Sequence, residues 1–91
     1  MPRPQKPRHL RFKPNVHYFK PQGVPLRMLK EVVLEPDELE ALKLHDIDDL
    51  EQTQAAEEMK ISQSTFARIL NRTYKKLAQG IINGKAIKIQ E

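Results

Sequence analysis

The stretch QTQAAEEMKISQSTFARIL, residues 52–70, decides the fold of this chain. Counted from Gln52, apolar or small side chains occupy the fourth, fifth, eighth, tenth, fifteenth and eighteenth positions. These are Ala55, Ala56, Met59, Ile61, Phe66 and Ile69. The fifth is small, as it must be where two short helices touch, and the spacing is typical of a helix-turn-helix. We therefore predict such a unit from Gln52 to Lys76, with an ordinary helical hairpin as the alternative.

The turn of this unit depends on two residues. Ser62 is a favourable N-cap, so the second helix of the unit is expected to begin at Gln63. The ninth position usually holds glycine because its backbone is left-handed, and here it holds Lys60. A side chain in that conformation costs about 1 kcal/mol, which a packed domain can absorb.

The long helix that starts at Gln63 is predicted to bury one face. Apolar residues recur every three or four positions, the spacing of a buried stripe. The stripe is Phe66, Ile69 or Leu70, Thr73, Leu77 and Ile81. Gly84 is expected to end the helix, although Asn83-Gly84 is also a hairpin-turn signal.

Another helix is expected to precede the pair. Pro36 suits its first position, and Asp37 and Glu38 suit the positive end of its dipole. Its apolar residues, continuing through an acidic turn, are Leu39, Leu42, Ile47 and Leu50.

Two short strands complete the predicted fold, at Val32–Leu34 and Ala86–Gln90. Two strands alone are marginally stable, so pairing with a second copy is attractive. The predicted fold class is mainly α: a three-helix core over residues 36–83, a short two-stranded β element and an extended N-terminal arm. Since symmetric dimers are the commonest oligomers, we expect a homodimer.

The arm is rich in prolines, and six of the seven lie in residues 1–25. Proline lacks a backbone donor, so this segment is neither a helix nor a central strand. We assign residues 1–28 to a basic arm and residues 29–91 to the helix-turn-helix domain with its terminal strand. Phe12, Tyr18 and Phe19 either anchor the arm on the domain or stack on bases.

Charge is segregated along the chain. Residues 1–30 hold eight basic residues and no acid, residues 31–59 hold eleven acids and one lysine, and residues 60–90 hold seven basic residues and no acid. Two basic segments indicate two surfaces that serve one polyanion, with the acidic block solvated or steering the orientation. Solvated faces are the alternative explanation for each run.

Several functional classes are disfavoured. The chain has no cysteine, its three histidines lack metal-ligand spacing, and Asp46, Asp48 and Asp49 lack the glycine and distal glutamate of a calcium loop. We expect no enzymatic activity, metal or cofactor. Without a signal peptide or membrane-spanning run, the expected location is the cytoplasm, in association with the nucleoid.

Function is predicted from the geometry of the long helix. Its first residues should face base edges in the major groove of double-stranded DNA, where glutamine grips adenine and arginine grips guanine. These residues are Gln63, Ser64 and Arg68. The residues expected to contact phosphate are Arg72, Lys75, Lys76 and Thr53. In the arm, Arg3, Lys6 and Arg8 either enter the minor groove or keep the chain soluble.

The leading prediction is thus a sequence-preferring DNA-binding protein in transcriptional control. One alternative is a protein-interaction module that docks on RNA polymerase through the acidic block. Another is an RNA-binding protein that uses the aromatic residues of the arm as stacking platforms.

Five segments of the sequence together resemble a known family. They are MPRPQKPR, FKPNVHYFKPQGVPL, LEPDELEALKLHD, QAAEEMKISQSTFARIL and NGKAI. Across nearly the whole chain they resemble domain of unknown function 134, also called uncharacterised protein family 0251. The resemblance implies a small prokaryotic DNA-binding protein with a helix-turn-helix similar to region 4 of sigma-70 factors. Lys60 in place of glycine, and Glu51 in place of a serine cap, depart from the usual motif.

Overall fold

The computed structural model describes residues 10–90 and contains three helices and a small three-stranded sheet. The helices are α1 (Pro36–Leu42), α2 (Gln52–Met59) and α3 (Gln63–Asn83). The strands are β1 (Tyr18–Phe19), β2 (Glu31–Leu34) and β3 (Ala86–Ile89). A 3₁₀ turn covers Leu26–Met28, and a π-helical turn, Lys43–Ile47, extends α1.

Helix α1 begins where the sequence predicted. Pro36 lies in its first turn, and Glu35 and Glu38 cap it reciprocally, with the Glu35 amide donating to Glu38 Oε1 at 2.7 Å. The predicted apolar residues Leu39 and Leu42 are only half-buried. Leu39 and Leu42 therefore line an outer surface of α1, while the side chains that it buries include two glutamates.

The turn between α2 and α3 has the predicted backbone. Lys60 adopts φ 57° and ψ 45°, the left-handed conformation for which glycine is the usual residue. Ser62 caps α3 by accepting a hydrogen bond from the Thr65 amide at 3.2 Å. Glu51 replaces the expected serine cap of α2 with a capping box, because its own amide donates to the Gln54 side chain at 3.1 Å.

The core lies where α2, α3 and the end of α1 meet. Five of the six residues of the predicted packing pattern are buried, namely Ala55, Ala56, Met59, Phe66 and Ile69, and Ile61 packs partly buried against them. Ala41, Leu44 and Leu70 complete this cluster, and Leu50 packs against it. The spacing quoted from residues 52–70 therefore identified five of the eight buried residues of this helical cluster.

The sheet has one more strand than predicted. β2 and β3 pair with each other in parallel, with Val32 beside Ile87 and Leu34 beside Ile89. The prediction of a two-stranded element is wrong because β1, from the proline-rich segment, pairs antiparallel with the other side of β3. Phe19 lies opposite Ile87 in this pairing. The chain itself thus supplies the strand that we expected from a second copy.

Helix α3 buries its predicted stripe as far as Thr73, with Leu77 half-buried, but not to the end. Ile81 is 73% exposed, so its predicted burial is wrong. Gly80 is buried instead, because a Cβ at that position would lie 3.1 Å from Ile87 Cγ1 and 3.3 Å from Val32 Cγ2. In the last turns of α3, the sheet approaches so closely that Gly80 is the residue facing it. The helix ends at Gly84 with φ 64°, as predicted.

The segment before β1 packs on α1 from residue 10 onward. Glu40 is 4% exposed, and its Oε1 accepts hydrogen bonds from the amides of Arg11 at 3.0 Å and Phe12 at 2.8 Å. Arg3, Lys6 and Arg8 lie outside the described residues. None of the helices in residues 10–90 combines the length and apolar character required to traverse a bilayer.

Candidate nucleic-acid interface

Four polar side chains of α3 share one outward stripe. At about 100° per residue they fall within an arc of about 60°, and at about 1.5 Å per residue they extend over about 16 Å. We call them the polar stripe: Ser64, Arg68, Asn71 and Lys75, all exposed. Two cations and two uncharged hydrogen-bonding groups are a combination suited to phosphates and base edges.

The N-terminal end of the polar stripe is organised by the cap of α3. Ser64 Oγ lies 3.2 Å from Ser62 Oγ, and Ser62 Oγ donates to Thr65 Oγ1 at 2.9 Å. Arg68 Nη2 reaches the same threonine hydroxyl at 3.5 Å, a long hydrogen bond. Gln63 is also exposed, about 100° around the helix from Ser64. Of the residues predicted to read bases, Ser64 and Arg68 therefore share the polar stripe on the first two turns of α3, and Gln63 lies to one side of it.

Arg72 and Lys76, which are predicted to contact phosphate, contact carboxylates at the start of α1 in the structure. Arg72 Nε donates to Glu38 Oε2 at 2.6 Å, and Arg72 Nη2 lies 3.4 Å from Asp37 Oδ2. Lys76 Nζ donates to Glu38 Oε1 at 2.7 Å and to the carbonyl of Val33 at 2.7 Å. About 80° to 120° of helical rotation separates these two residues from Ser64, which turns them toward α1.

Glu38 is the centre of this ion-pair cluster, and its side chain is fully buried. Burial raises the pKa of its carboxyl, but hydrogen bonds from the Glu35 amide, Lys76 and Arg72 outweigh burial and lower the pKa overall. The carboxylate therefore stays ionised near neutral pH. Because Lys76 also donates to the Val33 carbonyl, the cluster around this carboxylate links α1, β2 and α3. It thereby fixes the direction of α3 relative to the rest of the domain.

Two residues that matter for the candidate interface, Asn71 and Glu38, were not identified as such from the sequence. Asn71 was not assigned to the site, although it lies three residues after Arg68 and four before Lys75. That helical spacing was enough to place Asn71 on the same stripe as Arg68 and Lys75. Glu38 was expected only to favour the helix dipole, and nothing in its local sequence indicates partners on α3.

The surroundings of the polar stripe carry both signs of charge. Thr53, at the start of α2, is exposed as predicted, and Lys60 is exposed in the turn. Glu57 and Glu58 are exposed further along α2, and Glu58 Oε1 lies 3.4 Å from Arg11 Nη1. Among the described residues, Lys60 in the turn and Arg68 and Lys75 on α3 are therefore the cations of this side that make no ion pair.

Two other features of residues 10–90 bear on function, namely possible metal ligands and cavities. No group of three histidine or acidic side chains there is arranged to hold a metal ion. A cavity of about 470 Å³ lies between residues 10–17 and the start of α1. Its lining includes Phe12, Pro14, Pro36 and Leu39 but no residue of α3, so this cavity is separate from the polar stripe.

Comparison with known proteins gives a consistent family result. The model of the family described as "Protein of unknown function DUF134" matches residues 1–91. A UPF0251 protein of Thermoanaerobacter pseudethanolicus is 52% identical over 90 residues, covering 99% of this chain and 76% of the relative. UPF0251 proteins of Caldanaerobacter subterraneus and Moorella thermoacetica are each 51% identical over 99% of this chain, covering 76% and 60% of their own lengths. No solved structure matches the chain.

Proposed function

The chain belongs to the family of proteins of unknown function DUF134, and we propose that it binds double-stranded DNA with a sequence preference, as a regulator of transcription. Helix α3 is the element that enters the major groove, with α2 packed across it. In this proposal α2, the turn and α3 form a helix-turn-helix of the type found in region 4 of sigma-70 factors. The polar stripe is the observation that carries the proposal.

Three features of the α2–α3 unit support it. The residues that hold the two helices together are buried, while the polar stripe projects from the opposite side and Gln63 is exposed at the first position of α3. Lys60 adopts the left-handed backbone conformation, so only three residues separate the end of α2 from the start of α3. The polar stripe lies on one continuous helix, the kind of element that the major groove, about 12 Å wide, admits.

The ion-pair cluster around Glu38 divides the cations of α3 into two groups. Arg68 and Lys75 make no ion pair with any described carboxylate, whereas Arg72 and Lys76 both pair with Glu38. We therefore propose Arg68 for base readout and Lys75 for phosphate contact. Arg72 and Lys76 act mainly by positioning α3, since a phosphate contact would require Lys76 to leave a buried carboxylate.

The test compares two single variants on two kinds of duplex. A duplex selected from a random pool for binding is titrated beside a random duplex, at several salt concentrations. Arg68→Ala should lose about 1 to 3 kcal/mol of discrimination between the two duplexes. Lys75→Ala should weaken both about equally and reduce the salt dependence by about one phosphate contact.

Lys88→Ala is the matched control, since Lys88 is an exposed lysine on β3, away from the polar stripe. It should bind both duplexes as the unmodified chain does. If the chain binds no duplex more tightly than single-stranded RNA, or if Arg68→Ala and Lys75→Ala reduce binding to both duplexes by the same factor, the proposal is wrong.

A further inference from the structure

One side of α3 exposes apolar residues that the domain does not cover. We call this surface the apolar flank: Phe19, Ile47, Tyr74, Leu77 and Ile81. Ile81 is 73% exposed, Ile47 71%, Phe19 52% and Tyr74 38%, while Leu77 is half-buried. Several large apolar side chains exposed on one side of a small domain indicate an interaction surface. From this surface we propose that two copies of the chain pack together through the apolar flank, about a two-fold axis, with their α3 helices antiparallel.

The helical positions place three of these residues on the same side of α3. Gly80 points to the sheet, and Lys76 lies about 40° to one side of it, where it reaches the carbonyl of Val33 on the outer strand β2. Leu77, Ile81 and Tyr74 lie about 60° to 120° to the other side. They therefore face away from β2.

Phe19 extends the apolar flank onto the sheet. β1 and β2 lie on opposite sides of β3, so β1 is on the side of α3 away from Lys76. Phe19 is directly opposite Ile87, whose side chain packs against Gly80. Since directly paired residues share a face of the sheet, the Phe19 side chain lies on the face covered by α3, on the same side as Ile81.

Ile47 extends the apolar flank in the other direction. The Tyr74 hydroxyl donates to Asp46 Oδ2 at 2.7 Å, which holds the π-helical turn beside this part of α3. Ile47, the last residue of that turn, is exposed next to the contact. The apolar flank thus runs from the π-helical turn, along α3, to the edge strand β1.

The charges at the two ends of the apolar flank select the arrangement of the copies. Exposed Asp46 and Asp49 lie at the end of the π-helical turn, where Asp48 is paired with Lys43 at 2.7 Å, and Lys20 and Lys85 adjoin Phe19 and the end of α3. A two-fold axis crossing α3 near Leu77 places the acidic end of each copy against the lysines of the other. Parallel helices would instead bring like charges together, which disfavours that arrangement.

The first test uses neighbouring isoleucines with nearly equal exposure. Ile82 is 80% exposed but lies about 100° further around α3 from Ile81, outside the apolar flank. Sedimentation equilibrium without DNA should show a concentration-dependent dimer for the unmodified chain. Ile81→Lys should weaken dimerisation about tenfold or more, and Ile82→Lys should not. Circular dichroism checks that both variants fold.

The second test exploits the absence of cysteine from the sequence. Near a two-fold axis a single introduced cysteine meets its own counterpart, so Leu77→Cys, at the proposed axis, should form a disulfide-linked dimer under mild oxidation and Ile82→Cys should not. A monomer at all concentrations up to the sub-millimolar range, or equal behaviour of the two variants in either test, overturns the proposal. Both tests omit DNA, so their result is independent of the proposed function.

Discussion

Removing the charge of Glu38, without changing its size, should strongly destabilise the domain. In Glu38→Gln the amide occupies the same buried place, but two of the three donors that contact the carboxylate are cations, from Arg72 at 2.6 Å and Lys76 at 2.7 Å. An amide cannot balance their charge, and its NH₂ group would face one of the cations. The variant thus removes one partner of a buried ion pair and leaves the other partners in place.

The magnitude follows from the exposure of the three side chains. Removing one member of a fully buried pair costs about 3 to 5 kcal/mol. Here Glu38 is fully buried, but Lys76 and Arg72 are 25% and 47% exposed and can regain some hydration. We therefore expect a loss of about 2 to 3 kcal/mol from a total of roughly 5 to 14 kcal/mol for a domain of this size. The melting temperature should fall by about 10 to 20 °C.

Urea denaturation followed by circular dichroism measures this loss directly. Glu57→Gln is the matched control, because Glu57 is exposed on α2 and makes no ion pair with any described residue. Its unfolding free energy should stay within about 0.5 kcal/mol of that of the unmodified chain. Equal stability of the two variants would refute the inference that the Glu38 cluster holds α3 in place.

Two further stability predictions concern pH and the turn. Because the pKa of Glu38 is lowered by folding, its contribution is complete above the ordinary glutamate pKa and is lost as pH falls through the lowered value. The difference in unfolding free energy between the unmodified chain and Glu38→Gln should therefore be constant near neutral pH and shrink in acid; a difference that grows in acid would contradict this sign. Lys60→Gly should be more stable than Lys60→Ala by up to about 1 kcal/mol, since only glycine adopts the left-handed backbone without strain. Thermal denaturation of the two variants measures this difference. If the turn relaxes out of the left-handed conformation, Lys60→Ala would be at least as stable as Lys60→Gly, which would contradict the prediction.

Much of the fold was predictable because its signals are local. The cap at Ser62, the helix start at Pro36 and the helix end at Gly84 each depend on backbone groups within a few residues. The buried pattern of α2 and α3 depends on helical periodicity, and the left-handed turn at Lys60 follows from that pattern. The apolar content of the segments that form β2 and β3 predicted both strands, and the parallel direction of their pairing came from the structure.

The errors arose where distant segments meet. Periodicity along α3 predicted burial of Ile81, but the sheet approaches at Gly80 and leaves Ile81 exposed. The proline content of residues 1–25 did not reveal that Tyr18 and Phe19 form an edge strand, which needs only a few backbone hydrogen bonds and tolerates prolines on either side.

The candidate site shows the same division. By itself the sequence determined that α3 has a polar outer face and that Arg68 and Lys75 lie on it, because helical geometry relates residues three to seven positions apart. Only the tertiary structure decided that Arg72 and Lys76 turn toward α1, since their partner Glu38 is 34 and 38 positions away. A buried carboxylate attracts cations from any element that packs beside it, and which elements do so is settled only when the chain folds.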